Sequence, residues 1–317
     1  MGETMMPRNF RRGSIGFVIA TVAALTATQA AFAQEGDDLR QAAQNPIADL
    51  ISLPFQNNTN FDIGRTDNTQ NVLNIQPVIP ISISQDWNLI ARLIMPVIYQ
   101  PPFLSGRELR EVEAIFGRSA VNQFGIGDTQ FGLGDFNPAF FFSPKKPIPL
   151  AKGVGLVWGA GPVFAFPTAT DDRLGSDKWS AGPTFVTVLL SKKVVSGFLI
   201  NNLWSYAGPD QTTLQTPNGR LTVQLPDVNA MTLQPFLNYN LPKGWYLTTA
   251  PVITANWEAN DDNRWTVPVG GGIGRVFKIG KQPINAQISA YYNVVTPDDT
   301  GADWQLRTQW TFLFPTH

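Results

Sequence analysis

The sequence predicts an all-β protein: a transmembrane antiparallel β-barrel of twelve strands behind an N-terminal signal peptide. Three observations predict it. The chain opens with an export signal. Charged residues are sparse, at 15% against about 25% in ordinary soluble domains. Beyond the signal, apolar and polar residues alternate in segments of about ten, and no run reaches the 18 or so apolar residues of a spanning helix.

The signal comes first. Arg8, Arg11 and Arg12 precede an apolar run from Ile15 to Ala27, and Ala31-Phe32-Ala33 supplies a small-x-small cleavage site. A membrane anchor needs about 20 apolar residues, and this run is too short. The expected division is a cleaved signal at 1–33, a short periplasmic segment at 34–46 and the barrel at 47–317, with Gln34 as mature N-terminus. Removing 1–33 takes three of 23 basic and one of 24 acidic residues, leaving 20 and 23, a net of −3. That balance offers no basic excess to nucleic acid, which is not an expected partner. The absence of cysteine excludes disulfides, thiolate metal sites and a lipid-modified N-terminal Cys.

The strands follow. In one segment Leu73, Ile75, Pro77, Ile79, Ile81 and Ile83 share a face against Asn74, Gln76, Ser82 and Ser84; in another Ile284, Ala286, Ile288, Ala290 and Tyr292 oppose Asn285, Gln287 and Ser289. Repeating this reading places strands at 47–57, 71–83, 87–99, 128–142, 154–166, 179–190, 195–207, 231–241, 245–257, 264–278, 283–295 and 303–314. The first alternates poorly and either closes the barrel or serves as a plug. The faces of 195–207 are ambiguous. The run Gly270-Gly271-Gly272 is expected to mark a bulge or bend, because Arg275 otherwise falls on the lipid face.

The connections sort into two classes that alternate strictly along the chain. "SQD", "SPKKPIPLAKG", "SKK", "LPKG" and "IGKQP" are tight or Pro-rich; those near 58–70, 100–127, 167–178, 208–230, 258–263 and 296–302 are mostly longer and polar. Short periplasmic turns and long extracellular loops alternate in this way. Eight of the nine lysines belong with the short class, Lys178 being the exception. Trp87, Tyr99, Trp179, Trp245, Trp257, Trp265, Trp304 and Phe314 fall near strand ends, at the level of lipid headgroups. A secreted β-sandwich also alternates, but it would turn Lys and Glu toward water, whereas the polar face here is mainly Asn, Gln, Ser and Thr. In the closing segment "WQLRTQWTFLFPTH", Trp310, Phe312 and Phe314 therefore face lipid, and Gln305, Arg307 and Gln309 face a lumen. This strand resembles the signal that the barrel-assembly machinery recognises, apart from the extra Pro315-Thr316-His317.

The segments "QNPIADLISLPFQNNTNFDIG", "NVLNIQPVIP", "FFSPKKP", "GPVFAFPTATDDRLGSDKWSAGP", "LQPFLNYN", "WTVPV", "FKIGKQPIN" and "WTFLFP" resemble a family of bacterial outer-membrane proteins. Its members are labelled transporter or MetA-pathway of phenol degradation, and some neuromedin U. The likeness runs from Gln44 to Pro315. It implies a barrel with a role in the uptake of aromatic or other apolar solutes. It brings no functional residues to this chain.

No catalytic, cofactor or metal site is expected. The single histidine, His317, lies three residues past the last strand with no third group to orient it. The near-repeat "GIGDTQFGLGD" at 125–135 precedes a strand, not the helix a phosphate loop requires, and reads as a glycine-rich strand. "ATDDRLGSDK" and "TPDDTGAD" read as solvated acidic loop tips, with cation bridges to lipopolysaccharide as the sharper reading. In "GRELREVEAIFGR", Leu109, Val112, Ile115 and Phe116 share one face of a short helix, which either constricts the lumen or caps the rim. The candidate lumen lining is Asn74, Gln76, Arg92, Asp135, Asn137, Asn238, Asn285, Gln287, Arg307 and Gln309, with Ile90, Ile94, Val186 and Val188 as apolar patches. Scattered Arg and Asp among amides argue against strong ion selectivity. The expected function is passive passage of small neutral or apolar solutes, aromatic ones among them, across the outer membrane. The expected partners are those solutes, outer-membrane lipid and lipopolysaccharide. Its main rival is a barrel with a filled lumen serving surface contact, and an outer-membrane hydrolase is a distant third.

Overall fold

The computed structural model describes residues 39–315 apart from 64–66, 105, 125, 126 and 299, so the expected signal peptide and His317 lie outside the described residues. The barrel is built from β1 (Ile51–Ile63), β2 (Asn68–Ile75) continued by β3 (Val78–Ser82), and β4 (Trp87–Gln100). There follow β5 (Gln130–Leu133), β6 (Asn137–Pro144) and β7 (Ile148–Ala151) as one interrupted stave, then β8 (Val154–Ala165), β9 (Trp179–Ser191) and β10 (Val194–Ala207). After a separate hairpin, β11 (Gln211–Thr216) and β12 (Gly219–Gln224), the wall resumes with β13 (Asn229–Asn240), β14 (Trp245–Thr249) continued by β15 (Ile253–Asn256), β16 (Trp265–Ile279), β17 (Gln282–Val295) and β18 (Trp304–Phe314).

Grouped by stave, these make twelve, every pairing antiparallel. β10 pairs with β13 (Val194↔Tyr239 through Trp204↔Asn229), and β1 pairs with β18 (Ile51↔Phe314 through Phe61↔Trp304), so the sheet closes without an edge. The first strand thus closes the barrel, starting at Ile51 rather than 47. Its poor alternation has a cause: Asn57 and Thr59 point outward and are satisfied there by Asn71, whose amide exchanges hydrogen bonds of 2.8 and 2.9 Å with Asn57. Each of the other staves starts within three residues of its expected position, β2 at Asn68 being the farthest off.

Alternation sorts the two faces. On β10, Val195 and Leu199 are buried inside while Phe198 and Trp204 are exposed outside, which settles the faces of that stave. Ile79, Met95, Phe142, Phe185, Leu237, Ile288 and Trp310 belong to the same exposed apolar exterior, which is what a lipid-facing surface requires. Aromatic rings pair between neighbouring staves, Trp257 with Trp265 at 5.4 Å and Tyr292 with Trp304 at 4.9 Å between centroids, and across the intervening β6 stave, Trp87 of β4 with Trp158 of β8 at 5.9 Å.

The triple glycine does not make the expected bulge. The register of β16 against β17 shifts two residues earlier, between Val267 and Pro268, and β16 stays paired through Gly270, Gly271 and Gly272. The wall breaks instead in the neighbouring stave, between β14 and β15, where Pro251 has no N–H for a ladder. Arg275 therefore does lie outside. Its guanidinium sits 5.1 Å from the Trp245 ring centroid and 5.9 Å from that of Phe277, at the short-turn end where a long cation can reach headgroups. One glycine is sterically required inside: a Cβ on Gly274 would lie 2.2 Å from Cζ of Tyr246, whose ring fills that space.

At the long-loop end, α1 (Gly106–Phe116) and α2 (Arg118–Phe124) pack on each other, and α2 touches β11. α1 has no buried residue, and Ile115 is 63% exposed. No described residue of either helix lines the lumenal cavity, which favours the rim cap over the constriction. Lys178, the lysine outside the short-turn class, is buried beneath the 208–228 loop and bonds Asp210 at 2.9 Å and Asp227 at 3.3 Å.

Candidate functional site

The chain enters the lumen before it forms the wall. Residues 40–44 are helical and are held at the short-turn end: an Arg40 Nη donates to the Leu241 carbonyl at 2.8 Å, Gln41 to the Ser191 carbonyl at 2.8 Å, and Gln44 to Asn240 Oδ1 at 3.0 Å. Farther along, Ile47 is 3% exposed. It packs into a buried apolar cluster with Val78, Ile90, Phe141, Val157, Val186 and Val188, all inward residues of the early staves. A Cβ on Gly159 would lie 3.4 Å from Ile47 Cδ1 and 3.1 Å from Phe141 Cβ, so that glycine leaves the room the segment uses. Part of the lumen is thus a hydrophobic core, with an N-terminal segment as its plug.

Beside it lies a partly open cavity of about 150 Å³, lined by polar and apolar side chains alike. Its lining includes Gln76 and Arg92 from one side of the barrel, Asn238, Asn285 and Gln287 from the other, and Arg307 and Gln309 from the closing strand. Seven of the ten sequence candidates meet there. Asn74 does not line it. Asp135 is drawn away into the 167–178 loop, where its carboxylate accepts from Ser176 N at 2.8 Å, Ser176 Oγ at 3.0 Å and Ala169 N at 3.3 Å; Asn137 donates to the Asp135 carbonyl. Of the apolar patches, Ile90, Val186 and Val188 go to the plug's core.

Tyr246, Thr248, Gln234, Gln56 and the segment residues Gln44 and Asn45 also line the cavity and were not among the candidates. Alternation opposite Trp245 and Leu247 was signal enough to turn Tyr246 inward. Nothing periodic marks 42–50 as lumenal, because the segment is not a strand. Tyr246 donates to Asn285 Oδ1 at 2.7 Å. Arg307 is buried and clamped: Nε donates to Asn58 Oδ1 at 3.0 Å, Nη1 to the Ala250 carbonyl at 2.7 Å and Nη2 to Gln305 Oε1 at 2.9 Å, with the guanidinium 4.9 Å from the Tyr291 centroid. Arg92 is half-buried and donates to Gln76 Oε1 at 2.8 Å. Among the described residues no Asp or Glu lines the cavity, and Asp49 of the plug is exposed. Among the described residues no cluster of His, Cys, Asp and Glu is suited to hold a metal ion.

A closed twelve-stave barrel with an apolar exterior and a plugged, partly polar lumen defines an outer-membrane β-barrel protein. Among solved structures, the chain is similar to an outer membrane channel from Pseudomonas putida F1, with a TM-score of 0.57 at 14% identity over 84% of this chain and 95% of that one. A monoaromatic hydrocarbon channel, CymD, gives a TM-score of 0.44 at 11% identity over 89% and 93% of the two chains. Outer membrane phospholipase A from Escherichia coli gives 0.40 at 12% identity over 86% and 93%. The first likeness establishes the fold. No family model matches the chain, and neither does any curated protein.

Proposed function

We propose that the protein is a passive outer-membrane channel for small neutral or apolar solutes, single-ring aromatics among them. The observation that carries this reading is the lumenal cavity, lined by amides and bounded also by Leu199, Phe236, Val78 and Leu313. An engineered protein cavity of about 150 Å³ accepts benzene, so the volume suits one ring. The channel-type fold of the Pseudomonas putida protein and the sequence resemblance point the same way. No nucleotide or energy-coupling motif is evident in the sequence, so the solute gradient drives transport.

Export through a cleaved signal ending at Ala33, insertion by the barrel-assembly machinery through β18, and lipopolysaccharide around the long loops complete the proposal. The plug favours a second reading, a filled barrel without transport, because solute must pass the 40–50 segment. Liposome uptake of phenol-like and sugar-sized solutes by the mature protein separates the two. Flux above that of empty liposomes supports the channel; none for any solute supports the filled barrel.

A further inference from the structure

Among the described residues the cavity is lined by two cations and no acid. Arg92 and Arg307 both line it, from β4 and β18, while Asp135, which could have balanced them, serves the 167–178 loop. Among the described residues neither guanidinium reaches a carboxylate within ion-pair distance. A buried charge without a counterion is costly unless something supplies one. The donors for such a counterion are in place. A guanidinium has five N–H groups. Arg92 spends one of them on Gln76 and Arg307 three on Asn58, Ala250 and Gln305. The rest have no protein partner among the described residues. Arg307 is also fixed in place by its three acceptors and the Tyr291 ring, so it presents its free donors without further ordering.

We propose that Arg92 and Arg307 form a carboxylate-binding site in the lumen, selecting single-ring organic acids with one carboxylate and an apolar body. A planar carboxylate matches the fork of a guanidinium, and a charged hydrogen bond outweighs a neutral one. The apolar body follows from the opposite wall, where Phe236 and Leu199 offer a ring hydrophobic contact that an inorganic anion could not use. The volume admits one ring and little more. The inference rests on the lumen being a solute path and extends that path from neutral to anionic ring compounds.

Calorimetric titration of the purified full-length mature barrel with benzoate, benzyl alcohol, acetate and chloride tests it, folding being checked by heat-modifiable gel mobility. Benzoate should bind about tenfold or more tighter than benzyl alcohol, the worth of a charged hydrogen bond, and also tighter than acetate or chloride. Arg92→Gln, which sacrifices a single internal contact, should abolish the preference, and Arg92→Lys should restore part of it. Benzoate binding no tighter than benzyl alcohol, or a preference unchanged in Arg92→Gln, overturns the site. Acetate or chloride binding as tightly as benzoate overturns the ring selection. Liposome uptake separates the two failures: neutral flux without benzoate preference sinks only this site, whereas no flux for any solute removes the channel reading itself.

Discussion

Asn58 and Arg307 are register partners across the seam where the first strand meets the last, and Arg307 Nε donates to Asn58 Oδ1 at 3.0 Å. The closure of the barrel and the clamp on its lumenal cation are therefore one contact. Asn58→Leu keeps the side-chain size but leaves a buried guanidinium short of an acceptor. It should cost about 1.5–3 kcal/mol, the range for hydrogen bonds to charged groups. Urea unfolding of the barrel in lipid vesicles measures it, and a loss below about 0.5 kcal/mol, typical of inert surface changes, would remove this seam contact from the account.

Trp310 and Gln309 are adjacent on β18 and face opposite solvents. Trp310 is 50% exposed on the exterior, whereas Gln309 lines the cavity and donates to Thr311 Oγ1 at 3.0 Å. Trp310→Arg places a cation in hydrocarbon and should cost about 2–4 kcal/mol at the bilayer midplane, less near an interface. Gln309→Arg should be close to neutral in the same unfolding assay. Equal penalties would contradict the assignment of faces.

The barrel was legible because period-two alternation is dictated by the pleat and by two unlike solvents. It failed where those rules do not govern. Asn57 and Thr59 face outward as polar residues because Asn71 satisfies them, so alternation faded in β1. Arg275 seemed to demand a bulge, yet stacking on Trp245 at the interface allows it outside. The lumen lining was read strand by strand and mostly meets in one cavity. Asp135 escaped that reading because its partners, Ser176 and Ala169, lie 41 and 34 residues away in a loop. The plug was offered only as an alternative for 47–57, and its extension through 40–46 escaped for the same reason: its contacts, such as Arg40 with Leu241, are 201 residues apart.

Lys178 latches the 208–228 loop. The hydrogen bonds it donates to Asp210 first and Asp227 second hold its ammonium above the usual lysine range. A raised pKa in the folded state means the latch is fully present below the ordinary lysine value, about 10.4, and is lost as pH rises through the raised one. Cleavage within 208–228 by an alkaline-active protease should therefore stay low at neutral pH and increase only above about pH 10.4. Lys178→Met should show the increase already at pH 7. Identical cleavage of the variant and the parent at pH 7 would exclude the latch.

Ile47 is the apolar anchor of the plug, and its removal should open the lumen while sparing the wall. It is 3% exposed among Val78, Ile90 and Phe141, yet belongs to no strand, so no ladder hydrogen bond depends on it. Ile47→Ala should weaken docking of the 40–50 segment by about 2–5 kcal/mol, the usual cost of truncating a buried isoleucine. The polar contacts of Arg40, Gln41 and Gln44 at the short turns remain, so the segment would loosen from the lumen more readily than it would leave the barrel's end. Single-channel conductance in planar bilayers should rise in Ile47→Ala, with heat-modifiable gel mobility unchanged. An unchanged conductance with an intact wall would mean that the segment does not limit passage, and the constriction would have to be sought among the cavity-lining side chains themselves.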